Sequence, residues 1–188
     1  MMNKGVAHPI IDSDLDHDLR WDRRLEPAGV GTLEVESFEL WWPRAKRLID
    51  NLHPLIAEQW VHRHWKLSPY CYLPIERLKW REEHWNVASI SQVWVRPSFG
   101  FDNPERDFAH FHSARFENVQ PYKSLNSTGT WDFPIVVIET PAGIRSNGKI
   151  IKAAFCLIEG HQRRRFLMAW HGRAPVADNH SVFVLTLN

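Results

Sequence analysis

The sequence predicts an α+β fold built on a small mixed sheet, and two kinds of pattern indicate it. Short apolar runs bounded by glycine and proline alternate with stretches in which apolar residues recur every three or four positions. The chain has 188 residues, enough for one domain with a sizeable core. We therefore expect a polar N-terminal arm over residues 1–31 and a single domain over residues 32–188.

Composition excludes several classes of protein. Hydrophobic residues make up 44% of the chain and charged residues 24%, as in ordinary globular proteins. A formal net charge of +1 gives no global attraction to nucleic acid or membranes. Cys71 and Cys156 are too few for a disulfide framework, and no apolar stretch reaches the length of a membrane span. We expect a cytoplasmic protein without a membrane partner, while its oligomeric state is not indicated.

The arm carries aspartates at alternate positions: Asp12, Asp14, Asp16 and Asp18. This spacing resembles a calcium-binding loop. However, His17 stands where such a loop needs glycine, and Arg23 stands where it needs its final glutamate. We therefore expect no calcium site and interpret the arm as loosely attached.

Two helices are expected next, near residues 43–52 and 54–65, because apolar residues repeat at helical spacing. These residues are Trp41, Ala45, Leu48, Leu52, Ile56 and Trp60. His53-Pro54 should separate the helices, since proline disfavours helical geometry in the residue before it. The region is locally basic, which leaves a nucleic-acid contact open. The ten tryptophans of the chain are interpreted mainly as core.

The remaining elements are predicted from the periodicity of the apolar residues and from the glycine and proline residues that interrupt it. Residues 72–75, 88–95, 133–139, 150–158 and 181–187 read as strands. Asn147-Gly148 favours a tight turn, so strands 133–139 and 150–158 should form a hairpin. Residues 96–130 are expected to be an irregular insertion, with one helix near 105–111, where substrate specificity could reside. A helix over 161–171 should end at Gly172.

The stretch Ala153–Trp170 has the pattern of a phosphate site. An apolar strand ends at Glu159, a glycine follows, and a helix begins with basic residues. The exposed N–H groups of a first helical turn attract anions, and guanidinium groups match phosphate oxygens. The candidate phosphate-binding residues are Gly160, His161, Gln162, Arg163, Arg164 and Arg165. The alternative is a solvated basic face, since arginines oppose the macrodipole at this end of a helix.

Other groups of residues give weaker indications of function than this segment. His62/His64 and His110/His112 lie two residues apart, a spacing that favours a shared metal only on a strand. Since the first pair falls in an expected helix, no metal-ligating residues are assigned. The chain also lacks a recognisable nucleophile motif.

The glycine-basic segment resembles the nucleotide-binding core of the ParB/sulfiredoxin superfamily. Residues 155–163, FCLIEGHQR, resemble the superfamily's glycine–histidine–x–arginine box, and residues 131–137 and 181–187 resemble its flanking strands. Residues 72–78 are similar to its first strand. The resemblance implies binding of a nucleoside triphosphate, CTP or ATP, with Mg²⁺. Gly160 would admit a phosphate and Arg163 would clamp it.

The candidate catalytic residues are Glu76, Glu159 and His161. Glu76 and Glu159 are the nearest candidates for a general base or a magnesium ligand, and the alternative is that each is a surface carboxylate. His161 replaces the catalytic cysteine of sulfiredoxins, so sulfinic-acid repair is not expected. Nothing after Leu187 would supply the DNA-binding helices of a partitioning protein. The first hypothesis is therefore a nucleotide-binding hydrolase or phosphoryl transferase. The alternative is a non-catalytic or nuclease-like nucleic-acid-binding module that uses the same arginines.

Overall fold

The computed structural model of the chain describes residues 11–15, 21–100, 103–113 and 115–187. These ranges contain six α-helices and two mixed sheets, so the α+β class is confirmed. The chain forms two compact units. Unit 1 comprises Met1–Lys79, Glu139–Cys156 and Thr186–Asn188, and unit 2 comprises Trp80–Ile138 and Leu157–Leu185.

Unit 1 contains a three-stranded sheet with strand order β1-β4-β5. Its strands are β1 (Ile11–Asp12), β4 (Ile144–Ser146) and β5 (Lys149–Ile151), with β1 parallel and β5 antiparallel to β4. The predicted turn is present, because Asn147 has φ 52° and Gly148 has φ 70°. It joins β4 to β5, however, so the predicted strand 150–158 is wrong: this stretch forms two strands, β5 and β6 (Phe155–Glu159).

Two aspartates of the N-terminal arm hold this sheet. The Asp14 carboxylate accepts hydrogen bonds from the N–H groups of Asn147 and Gly148 at 2.6 and 2.8 Å. Asp12 pairs with Arg145, at 3.2 Å between Oδ2 and Nε. These carboxylates therefore serve the fold. The other residues of the calcium-like pattern at positions 16–18 lie outside the described residues.

The helices of unit 1 differ from the expected pair. Helix α1 spans Phe38–Ala45 and includes Pro43, whereas the prediction placed Pro43 at its start. Proline lacks the N–H that would bond to a carbonyl one turn earlier, and α1 ends two residues later. Helix α2 (Pro54–Ile56) begins where predicted and continues as a π-helix, Ala57–His62.

Tryptophan side chains form the core of unit 1. Trp21, Trp41 and Trp60 are all 5% exposed or less. The Trp21 and Trp60 rings meet edge to face at 5.3 Å, and Trp41 Nε1 donates to the Leu25 carbonyl at 2.7 Å. The core interpretation of these residues is confirmed. Since Ile11, Trp21 and Leu25 are buried, the described parts of the arm contribute to the core of unit 1.

Unit 2 holds most of a four-stranded sheet with strand order β2-β7-β3-β6. The strands are β2 (Leu78–Trp85), β3 (Ile135–Glu139), β6 (Phe155–Glu159) and β7 (His180–Leu187). Strands β3 and β7 are parallel, with Ile135 opposite Val182. Residues 135–138 are completely buried, as expected for a central strand.

The helices of unit 2 are arranged around α6 (His161–Trp170). The helices α3 (Val87–Ser91), α4 (Pro104–Phe111) and α5 (Gln120–Thr128) all pack against it. Helix α4 confirms the prediction near 105–111, and α6 confirms the prediction over 161–171. Among the described residues, no helix combines the length and apolar character needed to cross a bilayer.

Two strand predictions are wrong. Residues 88–95 begin with α3, because the Asn86 side chain accepts a hydrogen bond from the Ser89 N–H and caps the helix. Residues 72–75 form a turn that leads into a 3₁₀ helix, Ile75–Arg77. Strand β2 was not expected at all, since its sequence LKWREEHW is too charged to suggest a sheet.

His180, at the start of β7, is a buried titratable group. It is 1% exposed, its Nδ1 lies 2.8 Å from Thr130 Oγ1, and the Trp131 ring lies 4.9 Å away. Burial lowers the pKa of this imidazole below 6.5. The folded protein therefore holds His180 neutral at a pH where the unfolded chain protonates it.

We predict that the free energy of unfolding falls as the pH drops below about 6.5, because the unfolded chain then binds one proton more at His180. The contribution is at most about 1.4 kcal/mol per pH unit. In a His180→Asn variant, which retains a polar group beside Thr130, this part of the slope should be absent. Urea unfolding of both proteins between pH 5 and 7.5 measures it, and equal slopes would contradict the assignment.

Candidate functional site

The junction of β6 and α6 is built on a glycine. Gly160 has φ 98° and ψ 23°, in the left-handed region. A Cβ at this position would lie 2.6 Å from Ile135 Cγ2 on the neighbouring strand β3. The glycine is thus required by backbone conformation and by packing against the sheet. The sequence analysis attributed Gly160 to the close approach of a phosphate, but the glycine is explained without a phosphate.

Arg163 is buried inside unit 2, with 6% of its side chain exposed. Its Nε donates to Asp132 Oδ1 at 3.0 Å, its Nη1 lies 3.9 Å from Glu159 Oε1, and its guanidinium group lies 5.5 Å from the Phe133 ring centre. These contacts tie α6 to the segment preceding β3. The expected phosphate clamp is therefore engaged in an internal ion pair.

Arg164 is also buried, at 6% exposure. Its Nε and Nη2 donate to the carbonyl oxygens of Ile90 and Ser91 at 3.4 and 3.3 Å. These carbonyls belong to the last turn of α3, where a cation is favoured by unpaired carbonyls and by the helix dipole. Arg164 therefore attaches α6 to α3.

Arg165 faces α4 and forms a two-pronged ion pair with Asp107. Arg165 Nη2 lies 2.5 Å from Asp107 Oδ1, and Nε lies 3.2 Å from Oδ2. Asp107 is 2% exposed and also accepts a hydrogen bond from the Asn103 N–H at 3.3 Å. The Arg165 side chain remains 31% exposed, so it is both anchored and accessible.

A cleft of about 520 Å³ lies in front of Arg165, between α4 and the first turn of α6. Its lining residues are Phe99, Arg106, Asp107, His110, Phe111, Phe116, His161, Gln162 and Arg165. The Phe99 and His161 rings stack with centres 3.7 Å apart. The cleft has the size of typical small-molecule sites.

The cleft combines aromatic walls with positive charge. Its cations are Arg106, which is exposed, and Arg165, while Asp107 is the only carboxylate among the described lining residues. With the histidines neutral, these described residues carry one net positive charge, because Asp107 offsets one arginine. Such a site suits a ligand with a flat ring and an anionic group.

The structure brings together only part of the predicted site. Of the six phosphate-binding candidates, His161, Gln162 and Arg165 line the cleft, whereas Gly160, Arg163 and Arg164 do not. Of the catalytic candidates, His161 lines it, and Glu159 lies beside Arg163. Glu76 is an exposed residue of the 3₁₀ helix in unit 1 and is not a lining residue.

The lining residues offer a poor fit for Mg²⁺. Both oxygens of Asp107 already accept hydrogen bonds from Arg165, which a cation would have to displace. Within the described ranges, no group of three or more His, Cys, Asp or Glu side chains is placed to hold a metal ion. No step of chemistry is therefore assigned to a metal.

Six lining residues were not assigned to the phosphate site from the sequence, although His110 was considered as a metal ligand: Phe99, Arg106, Asp107, His110, Phe111 and Phe116. All of them lie in the 96–130 segment, which was expected to hold specificity. The helix that carries four of them was predicted from its own pattern. Nothing local indicated that Asp107 would meet Arg165, 58 residues away.

The basic region of unit 1 is partly committed to the fold. Arg44 pairs with Glu36 at 2.6 Å and donates to the Glu26 carbonyl at 2.7 Å. The His62 ring nitrogen Nε2 lies 2.8 Å from the Glu36 carbonyl. These contacts leave less of this basic surface for nucleic acid than its sequence suggests.

Comparison with known proteins gives no match: no family model, no curated protein and no solved structure is significantly similar to this chain.

We predict that Gly160→Ala destabilises the protein more than Gly172→Ala. Both positions have positive φ, 98° and 78°, which costs an alanine about 1–2 kcal/mol. Only at Gly160 would the new methyl group meet Ile135, adding about 1–3 kcal/mol, whereas nothing lies within 4 Å at Gly172. Denaturant unfolding measures both variants, and equal losses would show that the Ile135 contact is relieved at little cost.

We predict that Arg163→Ala lowers the free energy of unfolding by about 3–5 kcal/mol, because it leaves the largely buried Asp132 carboxylate without its main partner. Replacing Asp132 with alanine as well should restore part of the loss. A double-mutant cycle by urea unfolding tests this. Additive losses would contradict a direct pair.

Proposed function

We propose that unit 2 binds a nucleotide in the cleft between α4 and α6. The observation that carries the proposal is Arg165, which is fixed by the buried Asp107 and yet lines the same cleft as Arg106. Two guanidinium groups in the lining of one cleft would give a phosphate several charge-assisted hydrogen bonds. The exposed Arg106 is free to adjust to the ligand, whereas Arg165 is held in place.

The aromatic residues of the cleft are proposed to bind the base of the nucleotide. Phe116 and the stacked pair of Phe99 and His161 give the cleft aromatic rings against which a purine or pyrimidine could pack. Base stacking on aromatic side chains contributes about 1–3 kcal/mol per base. The resemblance to the ParB/sulfiredoxin superfamily makes CTP and ATP the first nucleotides to test.

Turnover is the second part of the proposal. His161 and His110 line the cleft and are the nearest groups able to accept or donate a proton, while Asp107 is occupied by Arg165. Hydrolysis or phosphoryl transfer would therefore depend on imidazole and on positioning by the arginines. We expect nucleotide binding with slow turnover, because Asp107, the one carboxylate among the described lining residues, is already paired with Arg165.

We predict that Arg106→Gln weakens nucleotide affinity at least about tenfold, because a hydrogen bond to a charged group contributes about 1.5–3 kcal/mol. Isothermal titration with ATP, CTP, inorganic triphosphate and the free nucleosides separates the anionic from the aromatic contribution. Both triphosphate and nucleoside alone should bind more weakly than the nucleotide. Phosphate release with and without Mg²⁺ measures turnover on the same samples.

The matched control is Lys123→Gln, which removes one positive charge from the exposed surface of α5, away from the cleft lining. It should leave affinity unchanged. If no nucleotide raises the melting temperature at millimolar concentration, or if Lys123→Gln weakens binding as much as Arg106→Gln, the proposed site is wrong.

A further inference from the structure

The tight turn between β4 and β5 is held by a carboxylate of the N-terminal arm. Asp14 accepts hydrogen bonds from the backbone N–H groups of Asn147 and Gly148, with N–O distances of 2.6 and 2.8 Å. Both turn residues are exposed to solvent. The two backbone donors of the turn are therefore bound by a charged acceptor that lies 133 residues before Asn147 in the chain.

Asparagine followed by glycine is the dipeptide in which deamidation is chemically easiest. Asparagine is a thermolabile residue, because the backbone nitrogen of the next residue can attack its side-chain carbonyl carbon. A glycine in the next position has no side chain to obstruct that attack. Among the described atoms, none lies within 4 Å of the position that a Cβ of Gly148 would take. The turn therefore presents an exposed and uncrowded pair of reacting groups.

We propose that Asn147 is a site of spontaneous deamidation and that the Asp14 carboxylate controls its rate. The Gly148 nitrogen must lose its proton before it can form a bond to Asn147 Cγ. In the folded chain this N–H donates to Asp14 Oδ2. A carboxylate beside the nitrogen opposes the formation of a second negative charge there, and the hydrogen bond must break before the attack. The turn is therefore protected while Asp14 is bound to it.

The reaction needs water and no other reagent. The new bond from the Gly148 nitrogen to Asn147 Cγ closes a succinimide ring, while the bond from Cγ to Nδ2 breaks. The amide group leaves as ammonia and takes one proton from solvent, which replaces the proton that the Gly148 nitrogen gave up. Water then opens the ring at either of its two carbonyl carbons. One opening gives aspartate, and the other gives isoaspartate, in which the backbone runs through Cβ and Cγ.

Either product would weaken the attachment of the arm to the three-stranded sheet. Each adds a carboxylate to the residue whose N–H donates to Asp14, so two negative charges repel each other at the turn. Isoaspartate also inserts an extra backbone carbon into the turn, which disturbs the pairing of Ser146 with Lys149. Strand β1 of the arm pairs with β4, which ends at this turn, so the damage reaches the strand that holds the arm.

The test is incubation of the full chain and its variants in mildly alkaline buffer, followed by peptide mass spectrometry over time. Deamidation is measured as the mass increase of the peptide that contains Asn147 and by the separation of its aspartate and isoaspartate forms. Asp14→Ala should accelerate deamidation of Asn147 at least about tenfold, because a hydrogen bond to a charged acceptor is lost. The natural chain unfolded in guanidinium chloride gives the rate of the unprotected turn.

Ser13→Ala is the matched control. It removes a neighbouring hydrogen bond between the arm and β4, from Ser13 Oγ to the Arg145 carbonyl, but keeps the Asp14 carboxylate. Its deamidation rate should stay close to that of the natural chain. Asp14→Asn keeps a neutral acceptor at the turn, so it should accelerate deamidation less than Asp14→Ala, and it replaces that variant if circular dichroism shows the alanine variant to be unfolded.

Three results would overturn the proposal. The first is a folded Asp14 variant that deamidates at the rate of the natural chain. The second is a natural chain that deamidates as fast when folded as when unfolded. The third is equal acceleration by Ser13→Ala and Asp14→Ala, which would assign the protection to attachment of the arm rather than to the Asp14 carboxylate.

Discussion

The close approach of Gly160 to Ile135 is the constraint on which unit 2 depends. It lets the chain turn directly from β6 into α6, so the first turn of the helix lies against the sheet. Successive helix residues point about 100° apart. Three consecutive arginines beginning two residues after the helix start therefore face three different neighbours, namely the segment before β3, the end of α3, and α4. A single ligand therefore could not contact all three arginines.

Local sequence patterns predicted the part of the fold that local physics determines. The apolar strand before Gly160, the helix after it and the terminal strand were all visible as changes of period. The Asn147-Gly148 turn was identified because few other dipeptides accept two positive φ values. A helix was also expected near residues 105–111, and α4 begins there with Pro104 in its first turn. These features depend on residues a few positions apart.

The misassigned and missed elements depend on contacts far apart in the chain. Strand β2 is a strand because β7 pairs with it, and its charged sequence favours no sheet. Helix α3 begins at an asparagine cap inside a sequence with strand-like alternation. Only part of the candidate site could be predicted from the sequence. The basic turn was recognised, but Asp107 and most of the aromatic rings come from the 96–130 segment. Which acidic residue pairs with which arginine can be seen only in the folded chain.

The order of strands has a consequence for how the protein is made. Strand β7 is the last strand in the described chain, yet it lies between β2 and β3, which emerge from the ribosome much earlier. Neither compact unit is one continuous stretch, so no early fragment contains a whole unit. During synthesis, β2 and β3 therefore lack their shared neighbour β7 until the end of the described chain has been made. Completion of this sheet is then a late step that depends on long-range contacts. Until it occurs, the apolar strands are exposed and are expected to be bound by chaperones.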